Sequence, residues 1–165
     1  MKNAFCLLLC ICLFKTSLAQ TDSTVLYYSF SSMPAFTITT IPDSAKFTKV
    51  DLIKKNPAII IFFSPDCEHC QKETEKLTAN IDLLKKSKIL MISAMEYNFN
   101  KKFYDDYKIG DYPNIIIGRE PTLLLGAYFK VHSLPGTYVY DKKGNFVKVF
   151  KGNIPVEEIA LVLNP

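Results

Sequence analysis

The chain has 165 residues, 48% of them hydrophobic, which fits one domain with a substantial core. Its 20 Lys and Arg against 16 Asp and Glu leave a net charge of +4, and no basic stripe interleaved with aromatics runs along it. That balance excludes the electrostatic footprint of a nucleic-acid-binding protein.

The first residues read MKNAFCLLLCICLFKTSLAQ. Lys2 supplies a positive start, Ala4 to Phe14 form an apolar core, and Ser17-Leu18-Ala19 offers small residues at the two positions signal peptidase reads. Residues 1–19 are therefore expected to be a secretory signal peptide cut after Ala19. The run falls short of the roughly 20 apolar residues of a membrane-spanning helix. An uncleaved anchor is the alternative, with Lys15 near its end. Lipidation fits less well, since Leu9 and Ile11 precede Cys10 and Cys12 where a small residue is wanted. Cleavage leaves one domain over 20–165, 146 residues long, with the charge lowered to +2 by the loss of Lys2 and Lys15.

Val25 to Phe30 and Ala35 to Ile41, rich in β-branched and aromatic residues, predict strands. Pro42-Asp43-Ser44 is a turn, after which Phe47-Thr48 can pair back. Val50 to Lys55 predicts one or two helical turns ended by Asn56-Pro57. Ala58 to Phe63, AIIIFF, is apolar without alternation, the mark of a strand buried on both faces. Ser64-Pro65-Asp66 breaks it. A helix follows in which Cys70, Thr74, Leu77, Ile81 and Leu84 share one face, with Lys72, Glu73, Glu75 and Lys76 toward solvent and Lys85 and Lys86 at its C-terminal end. Ile89 to Ala94 is a second buried strand, completing a βαβ unit. Asn98 to Tyr107 predicts a helix, Tyr112-Pro113-Asn114 a loop, Ile115 to Ile117 a short strand, and Pro121 to Lys130 a short helix with Pro121 near its first turn. Thr137 to Tyr140 and Phe146 to Phe150 flank Asp141-Lys142-Lys143-Gly144-Asn145 as a hairpin. Pro155 to Leu163 closes the chain as a helix whose apolar Val156, Ile159, Ala160 and Leu163 share a face. Leu134-Pro135, just before the hairpin, is an X-Pro bond that adopts cis at modest cost.

Of five cysteines, Cys6, Cys10 and Cys12 lie in the signal, so Cys67 and Cys70 alone remain. A pair this close closes almost the shortest possible loop and stabilises little as a staple, which points to function. Both sit where a strand gives way to a helix, whose N-terminus presents unpaired amides and partial positive charge. Cys67, at the very start, is expected to gain thiolate character, because thiols at such sites fall from about 8.5 to roughly 3.5–7.5. Cys70, one turn deeper on the apolar face, is expected to be buried. The Cys67 thiolate then attacks a substrate disulfide and Cys70 resolves the mixed disulfide; the reverse oxidises a dithiol. A protonated His69 favours thiolate at Cys67, while the carboxylate of Glu68 opposes it, so the two pull the potential in opposite directions.

The strand, Cys67-Glu68-His69-Cys70 and amphipathic helix, with PAFTITTIPDSAKFTKVDLIKKNPAIIIFFSPDCEHC before and LPGTYVYDKKGNFVKVFKG after, resemble the thioredoxin superfamily over most of residues 34 to 163. More narrowly the chain is similar to exported proteins of the TlpA and ResA type. The resemblance implies an α/β thioredoxin-like fold, a central mixed β-sheet flanked by helices. It also implies a cis Pro135 beside Cys67 and Cys70, and a Leu134 backbone that pairs with extended substrate. The implied activity is protein thiol–disulfide exchange, with no cofactor beyond the redox-active disulfide. Partners would be protein dithiol or disulfide substrates and a membrane thiol electron donor or acceptor, and the place the periplasm or envelope of a bacterium. The chain departs from the pattern at Asp66, where the family has tryptophan, and at Ile61, where thioredoxins bury an acid. Cys-x-His-Cys is similar to DsbA oxidases and Cys-Glu-x-Cys to ResA reductants, so the motif leaves direction open.

The competing class is a copper-binding or delivery module in which Cys67, Cys70 and His132 offer soft ligands to Cu(I). A peroxidase of the peroxiredoxin type matches at Ser64 but has Ile60 where that family needs proline. A zinc site lacks two spaced ligand pairs.

Overall fold

The computed structural model describes residues 32–53 and 56–163. The expected signal peptide over 1–19 and the strand expected at Val25 to Phe30 lie outside the described residues.

The apolar run at the centre sets the architecture. It forms β3 (Ala58–Phe62), every residue of which is buried. Its side chains alternate between two cores: Ile59, Ile61 and then Phe63 face one layer, whereas Ala58, Ile60 and Phe62 face the other. A strand covered on both sides has no polar face to show, which is why the run does not alternate. Its neighbours are β4 (Lys88–Ser93), parallel to it, and β6 (Gly136–Tyr140), antiparallel. Beyond β4 come β5 (Ile115–Arg119), again parallel, then β1 (Thr37–Ile41) and β2 (Lys46–Thr48), both antiparallel. Beyond β6 lies β7 (Phe146–Lys151), antiparallel. The result is one mixed seven-stranded sheet in the order β2-β1-β5-β4-β3-β6-β7.

Helices cover both faces. A single turn, α1 (Lys49–Leu52), starts at Thr48, whose backbone N–H and hydroxyl both donate to the Asp51 carboxylate, at 3.0 and 2.7 Å. It places Leu52 in the core of Ile60 and Phe62. The longest helix, α2 (Glu68–Ala79), packs Cys70 and Leu77 into the other core, as do α3 (Tyr97–Asp106) through Phe103 and α5 (Val156–Leu163) through Ile159. The short α4 (Leu124–Tyr128) covers the opposite face with Leu125, and Phe129 follows it into that core.

Several expectations need correction. The strand expected from Ala35 starts at Thr37. The helix after the cysteines ends at Ala79, and Ile81–Leu84 continue as a separate 3-10 turn. Asn80 ends it by donating its side-chain amide to the Lys76 carbonyl at 2.9 Å. The strand expected to stop at Ile117 runs on through Gly118 and Arg119. The helix expected over Pro121 to Lys130 shrinks to Leu124–Tyr128, with Pro121 outside it. Leu123 stands before that helix at φ +58°, a left-handed conformation no continuing helix contains. Finally, Glu73 is buried rather than solvent-facing, for a reason given below.

Candidate active site

The strand-to-helix turn from Ser64 to Cys70 is a bonded unit. The Cys67 N–H donates to the Ser64 carbonyl at 3.2 Å, the Ser64 hydroxyl donates to the Asp66 carboxylate, and the Gln71 amide donates to the Pro65 carbonyl at 2.7 Å. Cys67 is the residue just before α2, in extended backbone geometry (φ −85°, ψ 105°). Its Sγ accepts the Cys70 N–H at 3.2 Å, so one of the helix's unpaired amides points at the sulfur. Cys67 is half-buried and Cys70 fully buried, and both are free thiols. Burial first, then the neighbouring Cys67 sulfur, pushes the Cys70 thiol up from 9.0 to about 12, with only the Ser64 and Cys70 backbone pulling the other way.

Strand pairing brings the second half of the site to the same sheet end. Phe62, the last residue of β3, sits opposite Gly136, the first of β6. The Leu134–Pro135 bond that enters β6 is cis, as the resemblance implies. Pro135 is buried, and Leu134 is exposed. The Pro135 carbonyl accepts the Gly152 N–H at 2.7 Å.

Glu68 and His69 are both exposed in the first turn of α2. His69 is engaged: its Nε2 donates to the Gly152 carbonyl. One turn on, Glu73 is buried because its carboxylate is satisfied, accepting the Ile154 N–H at 2.8 Å and Lys76 Nζ at 2.7 Å. Neither Gly152 nor Glu73 is apparent as a site residue from the sequence. The available signals are a glycine just past a strand, in Lys151-Gly152-Asn153, and an acid three residues from Cys70 and four from Leu77 on the buried face.

A groove of about 620 Å³ opens at the same end of the sheet, between the ends of β3 and β4 and the segment from Glu120 to Leu134. Phe62, Ile92, Ala127, Val131 and Leu134 make it largely apolar, and Lys130 and His132 line it too. Glu120 is buried in its wall but satisfied, accepting the N–H groups of Thr122 at 3.0 Å and Leu125 at 3.2 Å. His132 thus lies on the groove side. Among the described residues no three His, Cys, Asp or Glu side chains gather closely enough to hold a metal ion, so Cys67, Cys70 and His132 do not assemble the copper set.

A helix N-terminus presenting one half-exposed and one buried cysteine, at the end of a mixed sheet beside a cis-proline loop, defines a thioredoxin-fold dithiol site. The sequence profile of the thioredoxin-like domain matches residues 46–164, and the chain belongs to that family. No curated protein matches it in sequence. In structure it is similar to the thioredoxin domain of a thiol-disulfide oxidoreductase from Bacteroides vulgatus, with a TM-score of 0.67 at 19% identity, covering 81% of this chain and 96% of that one. A secreted Mycobacterium tuberculosis disulfide oxidoreductase homologous to E. coli DsbE gives 0.64 at 19% identity, over 78% and 93% of the two chains. A thio-disulfide isomerase from Thermus thermophilus gives 0.60 at 25% identity, over 79% and 90%. The likeness at 19% identity is one of fold.

Proposed function

We propose that this chain is an exported protein thiol–disulfide oxidoreductase. The observation that carries the reading is the asymmetry of the two thiols: Cys67 is half-exposed and accepts a helix amide at 3.2 Å, while Cys70 is buried with its proton held tightly. Cys67 is the nucleophile. Its thiolate attacks one sulfur of a substrate disulfide, forming a mixed disulfide and expelling the other sulfur as thiolate. Cys70, on losing its proton, attacks the Cys67 sulfur and expels the second substrate thiolate. The substrate gains two electrons and the pair becomes a disulfide; the reverse course oxidises a dithiol.

The Leu134 backbone and Pro135 position an extended stretch of the substrate, and the adjoining apolar groove takes a side chain near its reacting cysteine. Glu68 and His69 lie between the two cysteines, next to the nucleophile. Residues 1–19 direct export to a bacterial envelope, and the partner that resets the dithiol is a membrane thiol donor or acceptor. Among the described residues, no helix is long and apolar enough to cross a membrane.

Cysteine substitutions test the mechanism. Cys67→Ser should abolish turnover, and Cys70→Ser should accumulate mixed disulfides with envelope proteins. A Cys70→Ser variant that captures nothing, beside a Cys67→Ser variant that still turns over, sinks the exchange mechanism. Direction follows from the potential of the pair: about −270 mV marks a reductant and about −120 mV an oxidant.

A further inference from the structure

Three consecutive residues after β7 are held by both halves of the site. Gly152 has φ +78°, and no atom lies within 4 Å of where a side chain would start, so backbone conformation rather than space calls for glycine. In that conformation its N–H donates to the Pro135 carbonyl at 2.7 Å and its carbonyl accepts from His69 Nε2. The Asn153 carbonyl accepts the Thr137 hydroxyl at 3.0 Å, and the Ile154 N–H donates to Glu73 at 2.8 Å. His69 and Glu73 are four residues apart on α2 and so lie on one face of it. The helix that carries the nucleophile therefore grips the segment that is bonded to the proline loop.

A carbonyl only accepts, so Nε2 must carry a proton in this bond, which both the neutral ring and the imidazolium supply. The bond thus makes no demand on the charge of His69.

We propose that His69 is a positioning residue: through Gly152 it fixes the first turn of α2 against the Leu134–Pro135 loop, and so sets the slot in which a substrate polypeptide lies. This rests on the oxidoreductase reading. It separates two ways His69 can serve the reaction. A charge near Cys67 acts on every disulfide alike. A clamp on the loop acts on polypeptides that must lie along Leu134, and little on small disulfides.

The test compares His69→Leu, which has no donor, with His69→Gln, whose amide can donate to the same carbonyl and is never charged. Each is assayed in the full mature chain with insulin as polypeptide disulfide and glutathione disulfide as small one. His69→Leu should lose roughly tenfold in kcat/KM on insulin, the worth of one well-placed hydrogen bond, mostly through KM, and less than about twofold on glutathione disulfide. His69→Gln should recover most of the loss. The reduction potential and the pH at which Cys67 is half-alkylated should stay put in both variants. Gly152→Ala should reproduce the His69→Leu defect, and the double variant should be no worse than either single one.

Equal losses on both disulfides in both variants, with the potential and the alkylation midpoint moving together, would overturn the clamp and leave a charge effect. If the wild type exchanges with neither disulfide, the oxidoreductase reading has failed on its own account. The clamp is then judged by hydrogen exchange at the Gly152 and Ile154 amides. Faster exchange in His69→Leu but not His69→Gln supports it, and unchanged exchange in both refutes it.

Discussion

Glu73→Ala should destabilise the protein by about 3 kcal/mol near neutral pH. Glu73 is 4% exposed, and its carboxylate accepts the backbone N–H of Ile154, a residue itself 2% exposed. Truncation removes a hydrogen bond to a charged group and leaves a buried donor unpaired, about 1.5–3 kcal/mol. The ion pair with Lys76 adds little, roughly 0–1 kcal/mol, because the lysine side chain is 66% exposed. Glu73→Gln keeps an acceptor for Ile154 and should cost only about 1 kcal/mol. Urea titration measures both values, and heating should show Glu73→Ala melting about 6–12 °C lower. Burial pushes the Glu73 carboxyl up, but the bonds from Lys76 and the Ile154 N–H, with the charges of Lys76 and His69, outweigh it and hold the group below its ordinary 4.5. A carboxylate whose folded value lies below its unfolded one stabilises above the unfolded value, and loses that contribution as pH falls through the folded one. The gap between wild type and Glu73→Gln should therefore be full above pH 4.5 and shrink on acidification. A Glu73→Ala variant within about 0.5 kcal/mol of wild type, or a gap that widens in acid, would refute this account.

Phe129 is fully buried, with ring centroids 5.3 Å from Phe62 and 4.7 Å from Tyr138. Phe129→Ala should cost about 3–5 kcal/mol in a denaturation experiment, and a loss under about 1 would mean that α4 repacks freely over this core. His132→Ala should leave the affinity of the reduced protein for Cu(I), read by competition with a chromogenic chelator, unchanged within about twofold. A tenfold loss would bring copper binding by Cys67, Cys70 and His132 back into contention.

The parts legible in the sequence are those encoded by local pattern. AIIIFF announces a strand covered on both faces, and the spacing of Cys70, Thr74 and Leu77 announces the helix. Asp141-Lys142-Lys143-Gly144-Asn145 announces a hairpin, and there Asp141 accepts the N–H groups of Lys143 at 2.8 Å and Asn145 at 2.9 Å. What misled were residues whose usual meaning is overridden by a distant partner. Gly118 ordinarily weakens a strand, yet it sits within β5 between Thr40 and Ile92. A side chain there would start 2.2 Å from the Ile38 side chain, so its bareness makes room for Ile38. Glu73 has the composition of a solvent residue and the position of a core residue, and the amide of Ile154, 81 residues on, decides between them. The His69 bond spans 83 residues to a backbone carbonyl. Backbone groups carry no sequence signature, so a site fastened through them is invisible until the chain is folded.

Under the proposed exchange mechanism, the burial of Cys70 bears on the order of exchange. In the reduced pair its proton is held by burial, then by the hydrogen bond with Cys67 and by the charge of Cys67. Once Cys67 is consumed in a mixed disulfide that charge is gone and its sulfur is a weaker partner, leaving burial as the principal cause. Cys70 therefore becomes more acidic at the step where it must attack, and less so again when the dithiol is restored. Burial, the largest cause in the reduced pair, still opposes ionisation there, against the lowering pull of the Ser64 and Cys70 backbone. Resolution should thus proceed through a minor thiolate fraction. With thionitrobenzoate loaded on Cys67, the rate of its release should climb about tenfold per pH unit through neutrality. A plateau reached at neutral pH would mean that Cys70 is already ionised in the intermediate. In that case the Cys67 charge, and not burial, would be what protects the resolving thiol in the reduced protein.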